Sequence, residues 1–210
     1  MTALPSLTDR TIGEYLGTLG SSAPAPGGGS VAGLIGALAA ALGQMVANVT
    51  TKGKGDPAFR NQVATLQTRL DAFVSGAEAD EAAYGGYVAA TSLPKTTPEE
   101  KAIRRQVLQE ALHASARAPL GIVEAATLLL ENLVPVIESG AMNILSDAEI
   151  AITLAEAAVV AGLVNVRINL PLIKNVDLAE SLSEQMTELE ARAKRNAQNC
   201  RDALTTHRTR

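Results

Sequence analysis

The feature that most constrains the fold is a stretch of twenty residues without a charged side chain, from Ser30 to Val49. A helix of this length can cross a bilayer, so a membrane span must be weighed against a buried helix. Glycine and alanine make the stretch less hydrophobic than most membrane spans, and charged residues make up 19% of the whole chain. A lone span rarely has this pattern. We therefore predict a buried central helix and no membrane partner.

Drawn as a helix, this stretch has two different faces. Large aliphatic residues recur at spacings of four and three, and small residues recur at the same spacings two positions earlier. The large residues are Val31, Ile35, Leu38, Leu42, Met45 and Val49, and the small ones are Gly29, Gly33, Gly36, Ala40, Gly43 and Ala47. Two residues turn a helix by about 200°, so the stripes lie on nearly opposite faces. We expect the large stripe to interlock in a core and the small stripe to let a neighbouring backbone or a ligand approach closely.

The remaining segments also space their apolar residues three to four apart, and none alternates as a strand would. The 210 residues are enough for one sizeable core and few for two. We predict an all-α fold, a multihelical bundle around the central Gly/Ala-rich helix, in a single domain over residues 1–210. The predicted helices are Leu7–Leu19, Ser30–Thr50, Pro57–Ser92, Pro98–Ala118, Leu120–Glu138, Ser146–Asn165 and Asp177–Thr206, with a polar loop that ends at Asp56.

Local signals set some of these boundaries. Thr97 followed by Pro98 and, three positions after the threonine, by Glu100 has the spacing of a capping box. Proline removes a backbone donor, so we expect Pro119 to end one helix and Pro135 to strain the last turn of the next.

Composition excludes several classes of function. The chain has 18 basic and 22 acidic residues, which disfavours a polyanion as partner. Aromatic residues make up only 2% of the chain, which disfavours a surface for base stacking. We therefore predict no nucleic-acid partner. Cys200 is the single cysteine, and His113 and His207 are far apart, so the sequence offers neither a disulfide nor a zinc site. We predict no bound metal. A single cysteine and the absence of a signal-like first ten residues predict a cytoplasmic protein.

The loop before the central helix is the first candidate site. It runs from Ser21 to Ser30 and contains two prolines and three consecutive glycines. Such a loop can present bare backbone amides to a ligand's anion or oxygen atoms at a helix amino end, with Ser30 as the cap. A tight turn with a cap explains the same residues. The loop lacks the lysine of a phosphate-binding loop and the preceding strand of a dinucleotide fingerprint.

A second candidate lies around residue 146. Ser146 and Glu149 have capping-box spacing, which accounts for the serine. Asp147 would lie in the first helical turn and could also accept a proton from a substrate. Capping leaves Asn143 unexplained.

Two further groups could contact a ligand. Asn165 and Asn169 are four residues apart and would share a helix face, where they could close the helix or present amides to a ligand. Lys52, Lys95 and Arg104 could meet an acidic ligand, although isolated cations are usually ordinary surface charges.

The long third helix carries an acidic cluster near its end. Asp80 and Tyr84 lie on one face by their spacing, while runs of acids are most often merely solvated. Two adjacent glycines, Gly85 and Gly86, weaken helical preference and allow a bend there.

Four blocks in this order resemble the cyclodeaminase/cyclohydrolase family: SSAPAPGGGSVAGLIGALAAALGQMVANV at residues 21–49, EADEAAYGGYVAATSLPK at 78–95, the stretch 104–120 that ends in APL, and NILSDAEIAITLAEAA to NVRINL at 143–170. The resemblance implies a multihelical, homodimeric folate enzyme that needs no metal or redox cofactor.

The resemblance also assigns residues to the site. It implies catalytic roles for Asp147, Asp80 and Ser146. The expected substrate-binding residues are Ser21, Pro26, Gly27, Gly28, Gly29, Ser30, Lys52, Tyr84, Lys95, Arg104, Asn143, Asn165 and Asn169.

The chemistry that the resemblance implies is hydrolysis of 5,10-methenyltetrahydrofolate to 10-formyltetrahydrofolate. Either Asp147 or Asp80 would take the proton of the attacking water, and Lys52, Lys95 or Arg104 would meet the glutamate tail. Two alternatives stay open: a formiminotetrahydrofolate cyclodeaminase that releases ammonia, and a folate-binding protein without turnover.

Overall fold

The computed structural model describes residues 5–51 and 57–209, and all its regular structure is helical. The helices are α1 (Ile12–Leu19), α2 (Gly28–Thr51), α3 (Pro57–Thr91), α4 (Pro98–Ser139), α5 (Leu145–Asn169) and α6 (Val176–Arg208), with short 3-10 turns at Leu7–Asp9, Met142–Ile144 and Leu170–Leu172. The all-α prediction is confirmed. The predicted loop that ends at Asp56 lies outside the described residues.

The small residues of α2 let α3 pack unusually close to it, in antiparallel orientation. A Cβ added to Gly33 would lie 2.7 Å from the Cβ of Ala77, and one added to Gly36 would lie 2.3 Å from the Phe73 ring. Both distances are too short for real contacts, so only glycine fits at these positions. The expected role of the small stripe as a close-approach surface is confirmed.

The large stripe of α2 does not have the role that we expected. Leu38, Met45 and Val49 are 52%, 39% and 39% exposed, and Ile35 and Leu42 are only partly buried. The expectation that this face interlocks in the core of the chain is wrong for the three exposed residues. The reason is that the core helices approach α2 over its small face, which leaves the large residues pointing outward.

Three helical segments in the described part of the chain are long and apolar enough to cross a membrane by length and composition alone: Gly28–Thr51, Pro98–Ser139 and Met142–Leu172. About half of each apolar window is buried against other helices.

Helix α4 contradicts the predicted break at Pro119. It continues for 42 residues through Pro119 and Pro135. Proline cannot donate to the carbonyl four residues before it, which here is that of Ser115. The side-chain nitrogen of Asn169 donates to that carbonyl at 2.9 Å. A distant helix thus satisfies the group that Pro119 leaves without its helical partner.

Other helix ends were predicted with mixed success. The capping box at Thr97 and Glu100 is confirmed. A second capping box at Thr11 and Glu14 begins α1, so the predicted first helix is divided into a 3-10 turn and α1. The predicted cap at Ser146 is wrong, because α5 already begins at Leu145 without a side-chain cap.

The close approach of α2 and α3 can be tested at Gly36. We expect Gly36→Ala to lower the free energy of unfolding by roughly 1–3 kcal/mol, because the new methyl group overlaps the Phe73 ring. Urea unfolding measures the change. The control is Gly121→Ala in α4, where a Cβ meets no atom within 4 Å and helix propensity predicts unchanged or higher stability. Equal stability of the two variants would contradict the packing described.

Candidate active site at the amino end of α2

The carboxylate of Asp80 lies at the amino end of α2. A Cβ on Gly29 would lie 2.1 Å from one Asp80 oxygen. The carboxylate therefore occupies the space that the side chain of any residue other than glycine would need at position 29. The backbone N–H of Ser30 donates to the carboxylate. A negative charge is favoured at this end of a helix. The backbone amides that we expected to meet a ligand's anion are therefore already partly engaged by an internal one.

The side chain of Ser30 contacts the neighbouring carboxylate, Glu81. Its hydroxyl donates to Glu81 at 2.7 Å and lies 3.0 Å from the hydroxyl of Tyr15. Arg10 donates two hydrogen bonds to the same carboxylate, at 2.9 and 2.7 Å. The side chains of Arg10 and Glu81 are only 8% and 6% exposed. Ser30 was predicted to cap α2, but it lies inside the first turn and helps hold both carboxylates instead.

Glu81 and Asp80 are therefore electrostatically different although they are adjacent. The charge of Glu81 is balanced by Arg10. Burial raises the pKa of Asp80 to about 6; the Ser30 amide opposes this rise, and the charge of Glu81 adds to it. Burial also raises the pKa of Tyr15. A carboxyl group that titrates near neutral pH can both accept and donate a proton.

Two asparagines of α5 form the opposite wall. A Cβ on Gly28 would lie 3.3 Å from the side-chain nitrogen of Asn165. That nitrogen donates to the carbonyl of Ala161, and the nitrogen of Asn169 donates to the carbonyls of Asn165 and Ser115. Both donors of the Asn169 nitrogen and one donor of the Asn165 nitrogen are used by backbone carbonyls, which leaves the side-chain oxygens and one Asn165 N–H to meet a ligand.

These walls enclose the site cavity, which has a volume of about 440 Å³. Its lining residues are Pro24, Ala25, Gly27, Gly28, Asp80, Glu81, Tyr84, Tyr87, Leu112, Ser115, Asn165, Ile168, Asn169 and Leu172. Its acidic side chains face mostly apolar and amide groups, an arrangement typical of sites for small organic ligands.

Many predicted site residues meet here. Gly27, Gly28, Asp80, Tyr84, Asn165 and Asn169 line the site cavity, and Pro26, Gly29 and Ser30 are buried beside it. Ser21 is instead hydrogen-bonded at the end of α1, where its hydroxyl donates to the carbonyl of Thr18. Lys52 lies outside the described residues.

Another predicted group lies at the opposite end of α5. Asp147 and Asn165 are eighteen residues apart on one continuous helix, about 27 Å along its axis. Asn143 and Ser146 accompany Asp147 and are exposed. Within one chain, Asp147 therefore lies far from the cavity residues of α5. A single pocket that contains both Asp80 and Asp147 would require them to lie close together.

The predicted cations Lys95 and Arg104 lie together beyond the end of α3. With Lys101 and Arg105 they line a shallow surface depression, which we call the basic cluster. Arg104 donates to the carbonyl of Thr91, the last residue of α3, at 3.2 Å.

The roles of Arg10, Glu81 and Tyr15 were not predicted from the sequence. Arg10 and Glu81 are 71 residues apart, so no local spacing connects them. The one available signal was that Glu81 immediately follows a candidate catalytic residue.

Comparison with known proteins identifies the family. The formiminotransferase-cyclodeaminase family model matches residues 11–188. The chain belongs to this family. A methenyltetrahydrofolate cyclohydrolase of Methylorubrum extorquens is 36% identical over 186 residues, which are 87% of this chain and 88% of that protein.

Longer relatives and a solved structure agree with this assignment. The formimidoyltransferase-cyclodeaminase of Gallus gallus is 32% identical over 91% of this chain, but the match spans only 36% of that protein's length. The crystal structure of a formiminotetrahydrofolate cyclodeaminase from Thermotoga maritima has a TM-score of 0.83 and 28% identity, over 95% of this chain and 98% of that one. The chain thus aligns over most of its length with a cyclohydrolase and with cyclodeaminases, and it spans about a third of the longer relatives.

The burial of Asp80 predicts a pH-dependent stability difference. The pKa of Asp80 is about 6 in the folded chain and near 3.8 in the unfolded chain, so the folded chain binds this proton more tightly. The charged carboxylate therefore reduces the stability of the folded chain above about pH 6. We expect Asp80→Asn to be more stable than the unchanged protein at pH 8, with the gain shrinking as the pH falls toward 4. Urea unfolding at both pH values tests this. The exposed Asp71→Asn on the same helix should show no such trend, and a gain that is independent of pH would contradict the assignment.

Proposed function

We propose that the enzyme hydrolyses 5,10-methenyltetrahydrofolate to 10-formyltetrahydrofolate, with Asp80 as the general base. The observation that carries this proposal is a half-buried carboxylate whose pKa is about 6, located in a cavity lined by two asparagines. The methenyl carbon belongs to an amidinium cation, which a carboxylate also attracts.

The proton transfers can be followed step by step. Water adds its oxygen to the methenyl carbon and gives a proton to Asp80. The bond from that carbon to N5 then breaks, N5 takes the proton from Asp80, and the hydroxyl proton leaves to solvent. The formyl group remains on N10. A group that titrates near neutral pH suits both transfers.

The loop and α5 would position the pterin. The side-chain oxygens of Asn165 and Asn169 can accept hydrogen bonds from its N–H groups. Gly27 and Gly28 line the same wall and allow a flat ring to approach the backbone. No covalent nucleophile is needed.

A cyclodeaminase is the second candidate. There N10 attacks the formimino carbon on N5 and gives up its proton, the imino nitrogen takes up protons and leaves as ammonia, and the methenyl bridge remains at that carbon. The Thermotoga maritima cyclodeaminase aligns over 98% of its chain at 28% identity, and the cyclohydrolase of Methylorubrum extorquens aligns over 88% of its length at the higher identity of 36%. A folate-binding protein without turnover is the third candidate.

Two assays on the purified protein separate these functions. We expect loss of the methenyl absorbance to be catalysed, and no ammonia to be released from 5-formiminotetrahydrofolate. Asp80→Asn should reduce the rate about 10²- to 10⁴-fold, because the general base is lost. Asp71→Asn should keep the full rate. Ammonia release without hydrolysis favours the deaminase, and binding without either reaction favours the third candidate.

The role of Asp147 depends on a partner, and we propose a homodimer. Helix α5 has an exposed apolar stripe whose members are seven residues apart: Ile150, Ala157 and Val164. Ile168 extends the stripe to the site cavity. A twofold axis at Ala157 would pair the stripe with its own copy in antiparallel orientation. Such pairing would bring Asp147 of the partner subunit to the turn between Asn165 and Asn169.

Mixed dimers test this role. We expect Asp80→Asn and Asp147→Asn each to be impaired, and a mixture unfolded and refolded together to recover about a quarter of the unchanged activity, because half of the subunit pairs regain one intact site. If the mixture recovers no activity, Asp147 does not belong to a site that is shared between subunits. Full activity of Asp147→Asn alone would remove this residue from the mechanism.

A further inference from the structure

A second cavity adjoins the site cavity along α3, and its role is not accounted for by the reaction. We call it the arm groove. Its volume is about 850 Å³, and it shares Pro24, Ala25, Glu81 and Tyr84 with the site cavity. Because the two cavities share these four residues, they lie side by side, and a ligand longer than a pterin can reach from one toward the other.

The floor of the arm groove is bare backbone. Gly85 and Gly86 line it, and a Cβ added to either would meet no atom within 4 Å. Val88 and Ala89 continue the lining toward Ser92. The space above the two glycines is therefore open, and Val88 and Ala89 give it an apolar side.

The charged groups that line the groove already have hydrogen-bond or ion-pair partners. Glu81 is paired with Arg10. Glu78 accepts hydrogen bonds from the Ser6 hydroxyl and the Leu7 amide, which lower its pKa. An uncharged segment of ligand fits between these satisfied groups.

The surroundings of the groove differ in charge along its length. Asp80 lines the adjoining site cavity, and Ser92, the residue after the end of α3, lies twelve positions later, about 18 Å by helical rise. Just beyond Ser92 is the basic cluster, which Arg104 connects to the carbonyl of Thr91. A ligand with a cation at one end, a flat uncharged centre and carboxylates at the other matches this order of charges.

We propose that the arm groove binds the p-aminobenzoyl ring of the folate substrate over Gly85 and Gly86, and directs its glutamate to the basic cluster. This assignment rests on the proposed function for the identity of the substrate. It gives the two glycines a role in ligand binding, where the sequence had indicated only a weak point in the helix.

Free p-aminobenzoyl-L-glutamate tests the groove without any turnover. We expect calorimetry to show that it binds the unchanged protein, and that Gly86→Leu, whose side chain fills the groove, weakens binding at least tenfold. The control is Gly17→Leu, an exposed helical glycine with open space around it that lines neither cavity. Equal binding by both variants, or no binding by the unchanged protein, overturns the proposal.

Kinetics provide a second readout. Gly86→Leu should raise KM for 5,10-methenyltetrahydrofolate about tenfold with little change in kcat. It should leave KM unchanged for the 5,10-methenyl derivative of 6-aminomethyl-tetrahydropterin, which keeps N10 but lacks the benzoyl ring and the glutamate. An equal rise for both substrates overturns the groove but not the reaction. If neither substrate reacts while the fragment still binds and Gly86→Leu still weakens it, the reaction fails and the groove stands.

Discussion

The structure depends on the absence of side chains along one face of α2. Gly33 and Gly36 let α3 approach until the Phe73 ring fills the space that a methyl group would need. The same approach continues to Gly29, where the atom that fills the space belongs to the carboxylate of Asp80. The packing that builds the core therefore also places a carboxylate against a helix amino end.

The consequence is a site whose two acids differ in electrostatic environment. Glu81 is held by Arg10 and by the hydroxyl of Ser30, so its charge is compensated. Asp80 receives the Ser30 amide and is otherwise desolvated, which raises its pKa. Keeping such a group charged reduces stability, and functional sites commonly retain groups of this kind. One serine, buried at the first turn of α2, contacts both acids.

The sequence was sufficient for the helical fold, the small-residue face of α2 and the capping box at Thr97, because these follow from local spacing. It was misleading at Pro119, since the group that satisfies the Ser115 carbonyl comes from Asn169, 54 residues away. The ion pair of Arg10 and Glu81 was missed for the same reason. The family resemblance grouped Asp147 with Asp80, but it held no information on the distance that α5 places between Asp147 and Asn165.

The most direct test of the central claim is a carboxyl ¹³C NMR titration of the aspartates, with the Asp80 signal assigned from its absence in Asp80→Asn. The account predicts an apparent pKa of about 6 for Asp80, because its carboxylate is enclosed between Gly29 and α3. An apparent pKa near 3.8, the value of a solvated aspartate, would contradict both the close packing at Gly29 and the role of Asp80 as the base.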